Sequence, residues 1–351
     1  MAHLIRTLAI VGAIAAGLGS EAQADVSLSG PDSNDGTYSS SSLSALATSS
    51  DTVTDSGTGL TGFSVWGLLG GAAASGPSSP TYGAITTSTS AGDNGKNAIL
   101  RYYLLATGAG GAQSVVSLGE IDPSFGGTAS TPAFIAFQAT GGGLLGAPEL
   151  IVPGAFGRDV TGLTSLQLLA VSALPTSAGG QSTSVTLSGN VTNPGSYSLS
   201  QLQAAFTPVH ETVSGDTYTG VPLWTFIDPS NSNITNQIVV TQGTDGYEVV
   251  LSLAELDPAL GGNPNDLLPY SDTGGNFPVD GVARTIYPTD NLHGRWESNL
   301  DAVDVLSVPE PTSLGVFSAA IVSVTIVGWR RRRGPVKGRV KLRSAQPSRT
   351  P

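Results

Sequence analysis

Two pairs of acidic residues occupy matching motifs and are the first candidates for chemistry. Glu120 and Asp122 lie in Ser-Leu-Gly-Glu-Ile-Asp-Pro, and Glu255 and Asp257 lie in Ser-Leu-Ala-Glu-Leu-Asp-Pro. Paired carboxyl groups can act as acid and base in glycoside hydrolysis, or can help to bind calcium. Calcium takes about six to eight oxygen ligands, far more than the carboxylates of one such motif supply. The pattern therefore favours helix capping and turn formation over both functions.

The few basic side chains form the second set of candidates. Arg284, His293 and Arg295 lie within a short stretch and could line a pocket for an anion or another small ligand. For these arginines and for Arg158, which stands in a Gly-Arg pair like Arg295, ion pairing with the many acidic residues is the favoured interpretation. His210 and His293, on predicted loops, are expected to be solvated. Gly-x-Ser-x-Gly, His-Glu-x-x-His and phosphate-loop motifs are absent from the sequence, which therefore predicts no catalytic residue and no metal ligand.

The central region is strongly acidic and lacks cysteine. The whole chain has a net charge of −11, but residues 25–307 hold five basic against 24 acidic side chains, a net charge of −19. Such a surface repels nucleic acid and anionic lipid, so neither is an expected partner. Because disulfides are impossible, burial of apolar side chains must stabilise the fold.

The N-terminus has the pattern of a secretory signal peptide over residues 1–24. A basic segment ending at Arg6 precedes an apolar stretch at residues 8–18, and Ala22-Gln-Ala24 forms a small-residue cleavage site. A retained anchor helix is the alternative, but the apolar stretch is shorter than the roughly 20 residues that span a bilayer. We therefore expect export and removal of this segment by signal peptidase.

The C-terminus combines a proline-flanked acid, an apolar segment and a cluster of arginines. Residues 312–329 carry no charge and are just long enough to span a bilayer as a helix. The arginines favour a cytoplasmic position for the basic tail, residues 334–351. The whole C-terminal segment spans residues 308–333. The apolar helix in it is preceded by Val308, Pro309, Glu310 and Pro311 and followed by Arg330, Arg331, Arg332 and Arg333.

This C-terminal arrangement resembles the PEP-CTERM sorting signal of Gram-negative bacteria. The resemblance implies recognition by an exosortase, a membrane cysteine protease-transpeptidase that would cut near residues 309–311. The protein would be anchored transiently in the inner membrane and would then reach the cell surface or an extracellular matrix, where polysaccharide is the expected partner. The tail is longer and more basic than such signals usually have.

An internal repeat occupies the central region. Val26-Ser-Leu-Ser-Gly30 matches Val185-Thr-Leu-Ser-Gly189, the two acidic motifs match each other, and Gly157-Arg158 matches Gly294-Arg295. Repeats usually represent one structural unit used twice. We therefore expect two tandem units, residues 25–173 and 185–307, joined by a linker at residues 174–184 that is rich in Ser, Thr and Gly.

Each unit is expected to be a strand-rich α+β fold. An edge strand at residues 26–29 or 185–188 leads to a short helix near Leu43 or Leu202, and a second short helix carries Trp66 or Trp224, which we interpret as core anchors. A hairpin and the acidic motif follow. Two strands close each unit, near residues 149–152 and 166–171 in the first and near residues 283–287 and 302–307 in the second.

Several short motifs of the second unit occur in one order: Pro194-Gly-Ser-Tyr197, Tyr218-Thr-Gly-Val-Pro-Leu-Trp224, Thr244-Asp-Gly-Tyr247, Ser252-Leu-Ala-Glu-Leu256, and Gly281-Val-Ala-Arg284 before Gly294-Arg-Trp296. This order resembles the molybdopterin-binding domain of sulfite-oxidase-like proteins, and the resemblance extends more weakly to the first unit. It implies a mixed α+β fold in which a cysteine thiolate binds molybdenum. Because this chain has no cysteine and few arginines, we expect a descendant without cofactor.

The sequence as a whole predicts an exported, non-enzymatic surface or matrix protein with a structural or adhesive role. A carbohydrate- or small-ligand-binding module on the same degenerate scaffold is the alternative, and a residual oxidoreductase is the third hypothesis.

Overall fold

The computed structural model describes residues 24–30, 35–47, 52–69, 98–126, 132–155, 157–171, 179–227, 233–277 and 279–308. Contacts divide the chain after Ser307, so all described residues except Val308 belong to the unit Met1–Ser307. The predicted signal peptide before Ala24 and the predicted sorting signal from Pro309 onward lie outside the described residues. Within the described ranges, no helix has the length and apolar character needed to cross a membrane.

Two five-stranded sheets form the centre of this unit, and their strands follow the same order. The first sheet has the order β2-β1-β9-β5-β6, and its strands are β1 (Val26–Ser29), β2 (Gly36–Tyr38), β5 (Tyr102–Gly108), β6 (Gln113–Ser117) and β9 (Leu163–Ala170). The second has the order β11-β10-β17-β14-β15, and its strands are β10 (Val185–Gly189), β11 (Gly195–Tyr197), β14 (Gln237–Gly243), β15 (Glu248–Ser252) and β17 (Leu300–Ser307). In each sheet one pair is parallel, β1 with β9 and β10 with β17, and the other pairs are antiparallel.

A smaller sheet accompanies each large one. The first has the order β3-β4-β7-β8, with β3 (Thr52–Asp55), β4 (Leu60–Ser64), β7 (Phe134–Ala139) and β8 (Leu144–Ile151). The second has the order β12-β13-β16, with β12 (Val209–Val213), β13 (Asp216–Pro222) and β16 (Leu267–Asp272). Glycine is required where β4 and β13 have their bulges, because a Cβ on Gly62 or Gly220 would lie within 2.5 Å of the neighbouring strand's backbone.

The helices are short, and serine side chains begin most of them. The α-helices are α1 (Ser40–Leu46), α2 (Val65–Leu68), α3 (Leu118–Ile121), α4 (Leu199–Ala205) and α5 (Leu253–Leu256); 3₁₀ turns span Ala98–Arg101, Leu223–Phe226, Ile234–Asn236, Pro258–Leu260 and His293–Arg295. Ser39, Ser64, Ser117 and Ser252 each accept a backbone N–H in the first turn of the helix that they precede, which satisfies a donor that the helix itself leaves free.

The two large sheets pack against each other through β6 and β15, the last strand of each sheet. Four of the five residues of β6 and all five residues of β15 are buried, although neither strand pairs with a second strand among the described residues. The two strands contact each other, and α3 contacts β15. Packing of the sheets therefore covers two edges whose open backbone groups would otherwise favour aggregation.

The strand-rich α+β prediction is confirmed, as are the short helices near Leu43 and Leu202 and both hairpins. Two expectations were wrong. The strands at residues 26–29 and 185–188 are interior rather than edge strands, because β2 and β11 fold back and pair outside them. Residues 283–287 form only an isolated bridge at Ile286 instead of a strand. The local sequence pattern predicts neither the pairing of β2 and β11 with these strands nor the single bridge at Ile286.

Candidate functional site

Arg158 is buried where the two large sheets meet, and its guanidinium is held by oxygen atoms from both. Its Nη1 and Nη2 donate to the carboxylate of Glu120, at 2.9 Å for Nη2. Nη2 also donates to the carbonyl of Val115, at 3.0 Å, and to the hydroxyl of Ser252, at 3.1 Å. The arginine therefore joins β6 and the following helix α3 to the last residue of β15.

Arg295 has the corresponding position in the second half and is equally buried. Its Nη1 lies 3.3 Å from the carboxylate of Glu255, while Nε donates to Asp290 at 2.8 Å and Nη2 donates to the second oxygen of Asp290. The guanidinium carbon lies 4.6 Å from the ring centre of Tyr287. Two carboxylates and an aromatic ring thus enclose this one cation.

The two serines of the acidic motifs connect these arginine sites reciprocally. The hydroxyl of Ser117 accepts the N–H of Glu120 in its own helix and donates to Glu255 across the contact, at 3.2 Å. Ser252 accepts the N–H of Glu255 and donates to Glu120, at 2.9 Å. Such an exchange of like contacts is the pattern of a two-fold symmetric interface. We call this set the central ion network, which comprises Ser117, Glu120, Arg158, Ser252, Glu255, Asp290 and Arg295.

Burial and charge oppose each other throughout the central ion network. Burial raises the pKa of Glu255 well above its usual range, and Arg295 opposes this shift while Glu120 adds to it. Burial likewise raises the pKa of the nearby Asp266, to about 7. For Arg295, burial disfavours the charge, but Asp290 and Glu255 outweigh it and raise the pKa. Arg295 therefore stays charged while the carboxyl groups of Glu255 and Asp266 hold their protons more tightly than usual.

The other arginines of the described residues also have carboxylate partners. Arg101 lies 2.7 Å from Glu248, and so connects the two large sheets a second time. Arg284 lies 2.6 Å from Asp280, within its own loop. In the described part of the chain, all four arginines are therefore engaged with acids, as the ion-pair interpretation of Arg158, Arg284 and Arg295 expected.

The residues predicted to line an anion pocket are divided between two places. The ring of His293 stacks on Trp296 at 3.8 Å, and the guanidinium of Arg284 lies 5.6 Å from the same tryptophan ring. Arg295, although adjacent to Trp296 in sequence, directs its charged group toward Tyr287 and the central ion network. The fold therefore brings Arg284 and His293 to one aromatic ring and separates the guanidinium of Arg295 from them.

The acidic pairs have divided roles. Asp122 accepts the N–H of Ser124 at 2.7 Å and Asp257 accepts that of Ala259 at 2.8 Å, so the turn-forming interpretation is confirmed for the aspartates. It was wrong for Glu120 and Glu255, because the packing of the sheets places them beside buried arginines.

The remaining candidates from the sequence are two tryptophans and one histidine. Trp66 is buried in the core and Trp224 packs against it partly exposed, as expected of core anchors. His210 lies on β12 rather than on a loop, and its Nδ1 lies 2.9 Å from the hydroxyl of Thr219. Among the described residues, no group of three or more His, Asp or Glu side chains is arranged to hold a metal ion.

The residues present do not fit the molybdenum cofactor that the fold resemblance implies. The sequence has no cysteine to bind molybdenum. The described arginines, which would have to bind the phosphate of such a cofactor, already pair with carboxylates. A phosphate would have to displace those acids from buried positions.

Sequence reasoning missed the partners that complete the network. The serine three residues before each glutamate is a recognisable helix-capping signal, but nothing local indicates that its hydroxyl also reaches the opposite motif. Nothing in the sequence singled out Asp290 or Glu248 as a partner. Arg101 lies in a 3₁₀ turn far from Glu248 in the chain, and a loop separates Asp290 from Arg295.

Comparison with known proteins adds no relative to this description. A scan against protein-family models gives no match for this chain, and a search of curated proteins gives none either.

Proposed function

We propose that this protein is a non-catalytic structural or adhesive component of a bacterial cell surface or extracellular matrix. The observation that carries the proposal is the pairing of every described arginine with a carboxylate. The guanidinium groups that would have to bind the phosphate of a cofactor are thus paired within the fold, and those of Arg101, Arg158 and Arg295 join segments that are distant in the chain. Because the chain has no cysteine and so no disulfide, such buried ion pairs help to hold its segments together.

In this proposal the two halves are degenerate copies of a sulfite-oxidase-like unit that pack as a fused pseudo-dimer. The shared strand order of the large sheets supports this interpretation. So do the matching bulges in β4 and β13 and the reciprocal contacts of Ser117 and Ser252. Loss of the cysteine would have removed the chemistry while the packing of the two units preserved the architecture.

Export and sorting complete the proposal and rest on the sequence. Signal peptidase would remove residues 1–24, and an exosortase would recognise the segment 308–333 and release the protein from the inner membrane. The net charge of −19 over residues 25–307 suits a soluble, hydrated matrix component and disfavours binding to anionic lipid.

The proposal is tested by analysing the protein purified from its native host for molybdenum and pterin and by screening it on a glycan array. We expect molybdenum far below one equivalent and no preference for a single sugar. Near-stoichiometric molybdenum would replace the proposal with an oxidoreductase. Reproducible tight binding to one glycan would replace it with a carbohydrate-binding module.

A further inference from the structure

Val152 and Tyr287 occupy equivalent positions in the two halves of the fold. In the first half, Ile151 pairs with Phe134; in the second, Ile286 pairs with Leu267. Phe134 and Leu267 are themselves equivalent, since each pairs with the last residue of the strand that carries the bulge. The residue that follows the paired isoleucine is Val152 in one half and Tyr287 in the other.

The second half shows what can fill the space beside the arginine. The fully buried ring of Tyr287 lies against the guanidinium of Arg295, and the carboxylate of Asp290 accepts from its Nε at 2.8 Å. An aromatic ring and a carboxylate thus occupy this face of Arg295, while Glu255 engages its Nη1.

Among the described residues of the first half, neither a tyrosine nor a second carboxylate is found at the corresponding positions beside Arg158. Valine replaces the tyrosine, and the loop between Val152 and Arg158, Pro-Gly-Ala-Phe-Gly, is two residues shorter than its counterpart and contains no acid. Asp159, the next acid along the chain, accepts the N–H of Val152 at 2.9 Å. The Nε of Arg158 is buried, and none of the described residues accepts a hydrogen bond from it.

A cavity of about 240 Å³ lies at this place. Arg158 and Glu120 form its polar wall, and Ile121, Ala133, Val152 and Pro153 are among its apolar lining residues. A cavity of about 150 Å³ is enough for benzene in an engineered protein interior. The space therefore suits one aromatic ring with a small substituent and is too small for most drug-sized ligands, whose pockets start at about 300 Å³.

We propose that this cavity binds a small aromatic monocarboxylate, whose carboxylate accepts from Nε of Arg158 and whose ring lies against Val152. The ligand would supply the two groups that Asp290 and Tyr287 supply in the other half. A second carboxylate beside Arg158 is chemically reasonable, because Arg295 already binds two, those of Glu255 and Asp290. Phosphate lacks the apolar body that the lining residues would contact.

The experiment titrates the purified full chain with benzoate, followed by isothermal titration calorimetry and ligand-observed NMR. We expect saturable one-site binding with a dissociation constant of roughly 1 mM or tighter, as suits a ligand of this size. Benzamide, which keeps the ring and loses the charge, should bind at least about tenfold more weakly.

Val152→Tyr provides the matched variant, because it places in the cavity the side chain that fills the equivalent space in the second half. It should keep the fold and weaken benzoate binding at least about tenfold. Leu144→Tyr adds the same ring at an exposed position of β8 and should leave the affinity unchanged.

Three outcomes would overturn the inference. These are no saturable binding of benzoate to the wild-type chain, equal affinity for benzamide and benzoate, and undiminished binding by a folded Val152→Tyr variant. Circular dichroism of each variant shows whether the fold is retained.

Discussion

The hydroxyl of Ser252 donates a hydrogen bond to the carboxylate of Glu120, 2.9 Å away, although the two residues are 132 positions apart. The same hydroxyl accepts the N–H of Glu255 and so caps helix α5. One oxygen atom therefore both caps a helix and joins the two large sheets. Because Ser117 and Glu255 repeat the relationship in the opposite direction, local folding of each acidic motif is coupled to the packing of the halves.

Glu120→Gln should reduce the free energy of unfolding by about 3 kcal/mol, the lower end for breaking a buried ion pair. The substitution retains the size of the side chain but leaves Arg158 buried, 3% exposed, without its closest negative partner. Urea denaturation of the wild type and the variant measures the difference. The exposed Asp35 offers a matched control, since Asp35→Asn should change stability by less than about 0.5 kcal/mol. Equal stability of Glu120→Gln and wild type would show that the network does not stabilise the fold.

Gly119→Ala should destabilise the protein by about 1–3 kcal/mol through overpacking. A Cβ at this position would lie 2.8 Å from Cδ of Arg295 and 3.1 Å from a methyl group of Leu100. The stem of Arg295 cannot easily yield, because Asp290 and Glu255 hold its guanidinium. Thermal and urea denaturation should separate this variant from Gly146→Ala, whose Cβ meets no atom within 4 Å. Gly119→Ala as stable as Gly146→Ala would contradict tight packing around Arg295.

Stability should fall as the pH rises from about 4 to about 7. Burial raises the pKa of Asp266 to about 7, with Arg295 opposing and Asp290 adding to the shift, whereas the group titrates near 3.8 in the unfolded chain. Between these values the folded protein holds a proton that the unfolded chain has lost, so raising the pH favours unfolding until the folded carboxyl group also ionises.

Asp266→Asn removes this titration and tests its contribution. The difference in unfolding free energy between pH 5 and pH 8, obtained from urea denaturation at both values, should be smaller in the variant than in the wild type. Glu255, Asp290 and Glu297, whose pKa values are also raised, would keep part of the slope. An identical pH dependence in both proteins would contradict the assignment to Asp266.

Glu310→Ala should leave more full-length protein in the inner membrane of the native host. The change removes the acid of the Pro-Glu-Pro motif that the proposed exosortase would recognise. Cell fractionation and immunoblotting measure the distribution, and Thr312→Ala, a neutral change just beyond the motif, should leave release at the wild-type level. Unchanged release of Glu310→Ala would argue strongly against sorting by an exosortase.

Much of the secondary structure was accessible from the sequence because it depends on neighbouring residues. The strands Val26–Ser29 and Gln237–Gly243 were expected from a composition rich in Val, Leu and Thr, and the first serine of each acidic motif is a local capping signal. The position of β1 inside its sheet was not accessible. It depends on where β2 and β9 pair, and β9 is more than 130 residues away in the chain.

The sequence by itself determined the composition of the network: few arginines, many acids, no cysteine and two matching motifs. Only the tertiary structure decided which acids Arg101, Arg158 and Arg295 meet, because Glu248, Glu120 and Glu255 are distant from them in the chain and are brought to them by packing. The tertiary structure also decided that a cavity lies beside Val152 and Arg158, whereas the ring of Tyr287 lies at the equivalent place beside Arg295. A cavity forms where several segments that are distant in the chain leave space between them, so no short stretch of sequence can predict it.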